Sequence, residues 1–265
     1  MSLTAIIGGT GVCDVKILHD LQDGHIDTFY GTIHYVKGVY KDKDVIFLPR
    51  HGKTHSIPPH LINYRANILG LKRLGVTSII ATAAVGSLDP AIKPNDFLLP
   101  AQFIDFTKLR HTSFFDGGEN GVVHVDMTHP YCGTIRDTIA DAAKELGGYN
   151  LHTTGTYVCT EGPRFETPAE IKMYQMLGGH VVGMTNVPEV CLAREAEMCY
   201  ATIAMVTNFG AGISPEVLTH EEVLECMAHN SQRLRQLIMK TIERYDGERE
   251  CACRHSLQGY GGFTI

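Results

Sequence analysis

The sequence predicts a single α/β domain, with a mixed, largely parallel central sheet flanked by helices. Three observations predict it. Short apolar, β-branched runs alternate with segments whose apolar residues recur at helical spacing, the pattern of βαβ units. Small-residue and glycine-rich turns follow several of these runs, as they do where parallel strands give way to ligand-binding loops. The chain has 265 residues and is 44% hydrophobic, enough to bury one large core.

Taken in order, residues 3–7, 45–48, 78–83, 156–159, 181–184 and 203–207 are the predicted strands, each rich in β-branched or small apolar side chains. Residues 63–74 (NYRANILGLKRL) form an amphipathic helix that ends at Gly75, a C-cap signal. Residues 135–146 end the same way at Gly147, and 169–177 and 189–198 are shorter helices. Thr219, with Glu222 three residues on, reads as a capping box opening a helix to about Tyr245. No repeat, low-complexity linker or composition shift divides the chain. Residues 1–246 are expected to form the domain, and 247–265 a loosely held C-terminal tail.

The net charge of −6 and pI near 6.1 argue against nucleic acid or an anionic membrane as partner. No apolar run reaches the length of about 18 residues that a membrane helix needs. The opening MSLTAIIGGTG reads as a buried strand and not as an export signal, so the expected location is cytoplasmic. Of eight cysteines, six (Cys13, Cys132, Cys159, Cys191, Cys199 and Cys226) are scattered, mostly in apolar runs, as small core residues are. A reducing compartment argues against disulfides. Cys251 and Cys253 are too close for a usual zinc knuckle, and no second pair follows at ligand spacing. They read as an incidental pair on an exposed tail or, alternatively, as a redox-active or stabilising pair. No metal-ligand spacing occurs among the 14 histidines, so no metal is expected.

Ligands of open α/β sheets collect beyond the strand ends. After the first predicted strand comes Gly8–Gly11 (GGTG), where Thr10 adds a hydroxyl. It lacks the lysine of a phosphate-binding Walker loop and the third glycine of a dinucleotide fingerprint, so it is either an anion cradle or a tight turn. After the second, PRHGKTH offers Arg50, His51 and His55. An Arg-His pair at a strand end in an acidic protein favours an oxyanion site over a solvated basic loop. After the third, Ala83, Ala84 and Gly86 are small enough for backbone amides to face a ligand, or for a close strand–helix crossing. In TEGPRFETPAE, residues 160–170, Phe165 can stack on a ring and Glu166 can accept hydrogen bonds from it. The alternative for Glu166 is a dipole-favoured acid in a helix's first turn. Thr185 precedes a helix opened by Pro188, whose N-terminus would favour an anion. Asn208 ends the last strand with an amide. These residues group into an anion site (Thr10, Arg50, His51, Ala83, Ala84, Thr185) and a polar, aromatic site (Phe165, Glu166, Asn208). No serine or cysteine is paired with an obvious base, so the bound anion is the better candidate for reactant.

Together, IIGGTG, RHG at 50–52, NYRANI, AVGSL, QFIDFT, EGPRFET, MTNVPEVCLAREAEMCYA and TNFGAG closely resemble the trimeric type of purine nucleoside phosphorylase, and within it the methylthioadenosine phosphorylase branch, over roughly residues 3–245. The resemblance implies a nucleoside phosphorylase-like fold and phosphorolysis of a purine nucleoside, with phosphate as co-substrate and no cofactor. It implies phosphate contacts at Thr10, Arg50, His51, Ala84 and Thr185, with Ala83 contributing backbone only. It places Met184 against the ribose and Phe165 beside the base. It also implies a homotrimer or homohexamer in which His124 reaches a neighbouring subunit's sugar. Three positions depart from methylthioadenosine phosphorylases and match the inosine- and guanosine-cleaving enzymes: Glu166, Asn208 and His220. The chemistry agrees for the first two. A 6-oxopurine presents an acceptor at O6 and a donor at N1–H, which suit an amide and a carboxylate respectively. The expected activity is thus cleavage of inosine and guanosine to base and ribose 1-phosphate, with a methylthioinosine or methylthioadenosine phosphorylase as the alternative. His220 is expected to favour a 5′-hydroxyl.

Overall fold

The structure, a computed structural model, describes residues 3–9, 18–52, 54, 56–214 and 219–265, with only the backbone of 220 and 222. Its heart is four parallel strands: β1 (Leu3–Gly8), β4 (Lys43–Pro49), β5 (Val76–Ser87) and β11 (Cys199–Phe209). β5 lies between β1 and β11 and carries the run IIATAAVGS, buried on both faces apart from Ala84, as an interior parallel strand is. Helices cover those faces. α1 (Tyr64–Arg73) and α4 (Asn186–Glu195) pack over one, around Ile7, Leu48, Ile68, Leu69 and Val190. α2 (Gly133–Leu146) and α5 (His220–Arg244) pack over the other, around Phe97, Ile139, Ile203 and Leu237.

Capping residues explain the helix boundaries. Asn63 accepts from the Ala66 N–H and starts α1, and Gly75, at φ +84°, takes the chain out of it. α3 (Pro168–Met176) carries a capping box, with the Thr167 hydroxyl on the Glu170 N–H and the Glu170 carboxylate on the Thr167 N–H. The box expected at Thr219 and Glu222 lies partly outside the described residues.

The sheet has more antiparallel character than the apolar runs suggest. β2 (His19–Thr28) and β3 (Gly31–Tyr40) form a hairpin beside β4, and β10 (Val181–Gly183) runs antiparallel to β5. β10 pairs in parallel with β9 (Thr156–Thr160), and β9 with β7 (Gln102–Phe106). Two-residue strands β6 (Phe97–Leu98) and β8 (Leu151–His152) complete the set. The hairpin has no counterpart in the predicted strands because β2, HDLQDGHIDT, is exposed and polar along most of its length.

Residues 247–265 are not loosely held. Leu257 is fully buried and Cys253 nearly so. The Phe263 ring packs edge-on at 5.4 Å from Phe114 and 6.2 Å from Phe115. Glu197, in the turn after α4, accepts from the backbone N–H groups of Leu257 (3.1 Å) and Phe263 (3.3 Å). These anchors are single apolar residues among polar ones, so they produce no period that a sequence pattern would reveal.

Candidate active site

The ends of β1, β4, β5, β10 and β11 open into one cavity of about 600 Å³, a volume that suits a small-molecule ligand. Arg50, His51, Ala83, Ala84, Phe165, Glu166, Met184, Thr185 and Asn208 all line it. Thr10 and His55 lie outside the described residues. His220 begins α5, and its side chain is outside the described set, but Val223 of the same helix lines the cavity. His124 is exposed and is not among this chain's lining residues.

At the anion end, Arg50 follows β4 and is 3% exposed. Its Nε and Nη2 donate to the two carboxylate oxygens of Glu189 at 2.7 and 2.6 Å, and its Nη1 donates to the Thr82 carbonyl at 2.7 Å. The side of the fork expected for a ligand is therefore taken by the protein's own carboxylate. Among the described residues, an anion is left the remaining N–H groups of Nη1 and Nη2. Burial opposes the guanidinium's charge, but Glu189 more than offsets it, and the Arg50 pKa is raised. Glu189, fully buried, is also held by the Tyr200 hydroxyl at 2.8 Å, and Tyr200 in turn bonds Asn186 and Thr202.

The start of α4 differs from the expectation of an open anion-binding turn. Val187 leaves helical geometry, so the regular turns begin at Pro188, and the negative charge in that first turn is Glu189 itself. Thr185, whose side chain makes no capping bond, remains at the cavity wall. His51 Nδ1 lies 2.8 Å from the Ile57 carbonyl. A carbonyl only accepts, so Nδ1 carries the proton, and Nε2 of the neutral ring is an acceptor. A phosphate oxygen facing Nε2 would then share a proton with it.

At the base end, a β-bulge aims Asn208. β11 pairs residue for residue with β5 up to Val206 opposite Val85, and then skips Thr207, so that Asn208 faces Gly86. A side chain at Gly86 would begin 3.1 Å from the Asn208 amide nitrogen, so glycine makes room for the amide. The Thr207 hydroxyl reaches Asn208 Oδ1 at 2.7 Å, and Asn208 Nδ2 donates to the Phe209 carbonyl at 2.8 Å. That carbonyl needs a donor, which fixes the amide with Nδ2 on its side and leaves Nδ2 a second hydrogen for a ligand. Glu166 stands just before the N-cap of α3 and is not in its first turn; Glu170 takes the dipole-favoured role instead. Glu166 accepts from the Thr160 hydroxyl at 2.7 Å, and burial raises its pKa despite that bond. Phe165 is 39% exposed, with ring area available for stacking.

A model of the phosphorylase superfamily matches residues 4–243 of this chain. The chain belongs to that superfamily. A 6-oxopurine nucleoside phosphorylase of Pyrococcus furiosus is 52% identical over 267 residues, covering 99% of this chain and 100% of that one. A probable S-methyl-5′-thioinosine phosphorylase of Methanothermobacter thermautotrophicus is 48% identical, covering 97% of this chain and 89% of its own. Among solved structures, a methylthioadenosine phosphorylase from an antarctic soil metagenomic library superposes with a TM-score of 0.90 at 35% identity, over 99% of this chain and 92% of that one. The chain is accordingly an enzyme with the nucleoside phosphorylase fold.

Two parts of this phosphorylase's site were not read from the sequence. Glu189 sits in an apolar segment, NVPEVCLA, where an acid signals a buried partner, but that partner is 139 residues away. Arg110 is the other. Its side chain is 2% exposed and donates to the backbone carbonyls of Thr160 (3.1 Å), Glu161 (2.7 Å), Met184 (2.8 Å) and Val187 (2.6 Å). It is a positioning residue: it ties the loop carrying Phe165 and Glu166 to the segment carrying Met184 and Thr185. A charged residue that bonds only backbone and structural groups leaves no motif.

Proposed function

We propose that this enzyme cleaves 6-oxopurine nucleosides, inosine and guanosine, by phosphorolysis in purine salvage. One observation carries the reading: the Asn208 amide and the Glu166 carboxylate line one cavity whose other end holds Arg50 and His51. The amide offers a donor to O6 or N7, and the carboxylate accepts from N1–H and from the 2-amine of guanine. Adenine reverses the pattern at both positions, leaving buried polar groups unpaired. The name carried by the Pyrococcus relative agrees.

In this reading, phosphate sits between Arg50, His51, Thr185, Thr10 and the backbone at Ala83 and Ala84. A phosphate oxygen bonds to C1′ as the C1′–N9 bond breaks, and the bonding pair leaves with the purine. The sugar passes through a positively charged state that the phosphate anion stabilises. The departing base gains negative charge, which the Asn208 amide stabilises by donating to it, and the base takes up at nitrogen the proton that hydrogen phosphate gives up as its oxygen bonds to C1′. Phe165 and Met184 position base and ribose. We assign no cofactor or metal to the reaction.

His124 is exposed on its own subunit. That supports its completing a neighbour's site in a homotrimer or homohexamer, and we place the enzyme in the cytoplasm. Among the described residues no helix is long and apolar enough to cross a membrane. A methylthioinosine phosphorylase, the name of the Methanothermobacter relative, would share the oxo-reading pair. The apolar Val223 at the cavity wall would suit its thiomethyl group. The deciding experiment is a panel of inosine, guanosine, adenosine, methylthioadenosine and methylthioinosine, each with and without phosphate. Phosphate-dependent release of hypoxanthine and guanine is expected to dominate. Preference for adenosine or methylthioadenosine would refute the proposal.

A further inference from the structure

Four cysteines that are distant in sequence meet on the α2–α5 side of the sheet. Cys132 is the N-cap of α2, Cys199 opens β11, and Cys251 and Cys253 belong to the C-terminal segment. Their sulfurs all lie within 4.8 Å of one another, and the Cys132 and Cys251 sulfurs are 3.6 Å apart. Cys132, Cys199 and Cys253 are buried and Cys251 is half-buried, so the last two are not an incidental pair on an exposed tail. Backbone bonds hold the arrangement. The Cys132 N–H donates to the Tyr200 carbonyl at 2.8 Å, and the Arg254 N–H closes the turn onto the Cys251 carbonyl at 3.0 Å.

We propose that these four sulfurs form a structural site for one thiophilic divalent cation of the zinc class. Zinc takes four thiolates tetrahedrally at about 2.3 Å, which puts the sulfurs roughly 3.8 Å apart, close to the spacing found here. Four protein ligands fill the tetrahedron and leave no position for substrate, so the site is structural. Neighbouring groups suit a cluster that carries negative charge. Cys132 stands at a helix N-terminus, which favours thiolate. The Tyr245 hydroxyl, bonded to Ser78 at 2.9 Å, also reaches Cys199. Arg254, next to Cys253, buries a guanidinium Nε that has no hydrogen-bond partner. Binding releases one thiol proton for each thiolate formed. The bound ion would tie the C-terminal segment to α2 and β11.

The test is metal analysis of protein expressed with zinc and purified anaerobically with a reductant. One zinc per chain is expected, and cobalt(II) exchanged into the site should show sulfur-to-metal charge-transfer bands. Chelation should lower the Tm and added zinc should restore it. The double variant Cys251→Ser, Cys253→Ser should lose the metal and keep inosine phosphorolysis per folded molecule, whereas Cys226→Ser should keep both. If the double variant does not fold, Cys251→Ser alone, altering the half-buried ligand, serves for the same comparison. Zinc well below one per chain under these conditions would overturn the proposal. So would an intact mass, under reductant, lower by the hydrogens of one or two sulfur–sulfur bonds among these cysteines.

Discussion

The two ends of the cavity are built differently. At the anion end, Arg50, Glu189 and Tyr200 are buried and bonded to one another before any ligand arrives. At the base end, Phe165 is over a third exposed and Glu166 and Asn208 are half-buried, each held by only one or two short-range bonds. The first end is part of the core and the second is mounted on its rim. A substitution at the anion end therefore strikes stability and activity together, whereas one at the base end can change the choice of base with little effect on folding.

The largest effect should come from separating Arg50 and Glu189. Arg50→Ala leaves a fully buried carboxylate unpaired and should cost about 3–5 kcal/mol of stability, along with nearly all phosphate use. Urea unfolding and inosine kinetics would measure the two losses. The double variant Arg50→Met, Glu189→Leu should recover much of the stability and none of the activity. Full stability in Arg50→Ala would show that the pair is not part of the core.

Next is the amide. Asn208→Asp should lower kcat/KM for inosine by about 10²–10³-fold, the usual loss for a donor to developing charge. It should change urea stability little. A carboxylate there would face the Phe209 carbonyl as well as O6, acceptor against acceptor. Adding Glu166→Ser should recover more adenosine cleavage than either change alone, non-additively, because both residues read one ring. Additive effects with inosine still preferred would mean that these two positions do not choose the base.

Smaller effects should follow at the supports. Thr207→Val keeps the shape and removes the hydroxyl that orients the Asn208 amide. A loss of about 1 kcal/mol, or roughly fivefold in kcat/KM for inosine, is expected. An unchanged rate would mean that the bulge alone aims the amide. The smallest effect is a displacement in pH. Because burial raises the Glu166 pKa, its carboxylate is protonated at a higher pH than an ordinary glutamate, and as pH falls it stops accepting from N1–H. The acid limb of kcat/KM for inosine should move to lower pH in Glu166→Gln, at reduced activity, leaving the phosphate-end titrations in place. An identical acid limb in both proteins would remove Glu166 from the profile.

This contrast also explains what could be read from sequence. Strands β1, β4, β5, β9, β10 and β11 are visible because burial imposes β-branched runs, and the functional groups are visible because parallel strands present them at their ends. Nine of the selected residues do line one cavity. Glu189 and Arg110 were not read, because what defines each is a partner brought close only by folding. The C-terminal segment was misread for the same reason: Cys253, Leu257 and Phe263 each fill a gap made by another part of the chain. Polar β2 carried no signal because most of its side chains are exposed, so burial imposes no apolar pattern on them.

The bulge at Thr207 has an evolutionary side. Side chains alternate across a strand with a period of two, so inserting one residue reassigns faces only beyond the insertion. Residues 199–206 answer to the core, and exchange among them is restricted by packing. Position 208 is released from that register and answers to the ligand. A lineage could therefore try new residues there, and with them new bases, without first rebuilding the interior. The bulge lets the residue at 208 change while the packing of residues 199–206 stays as it is.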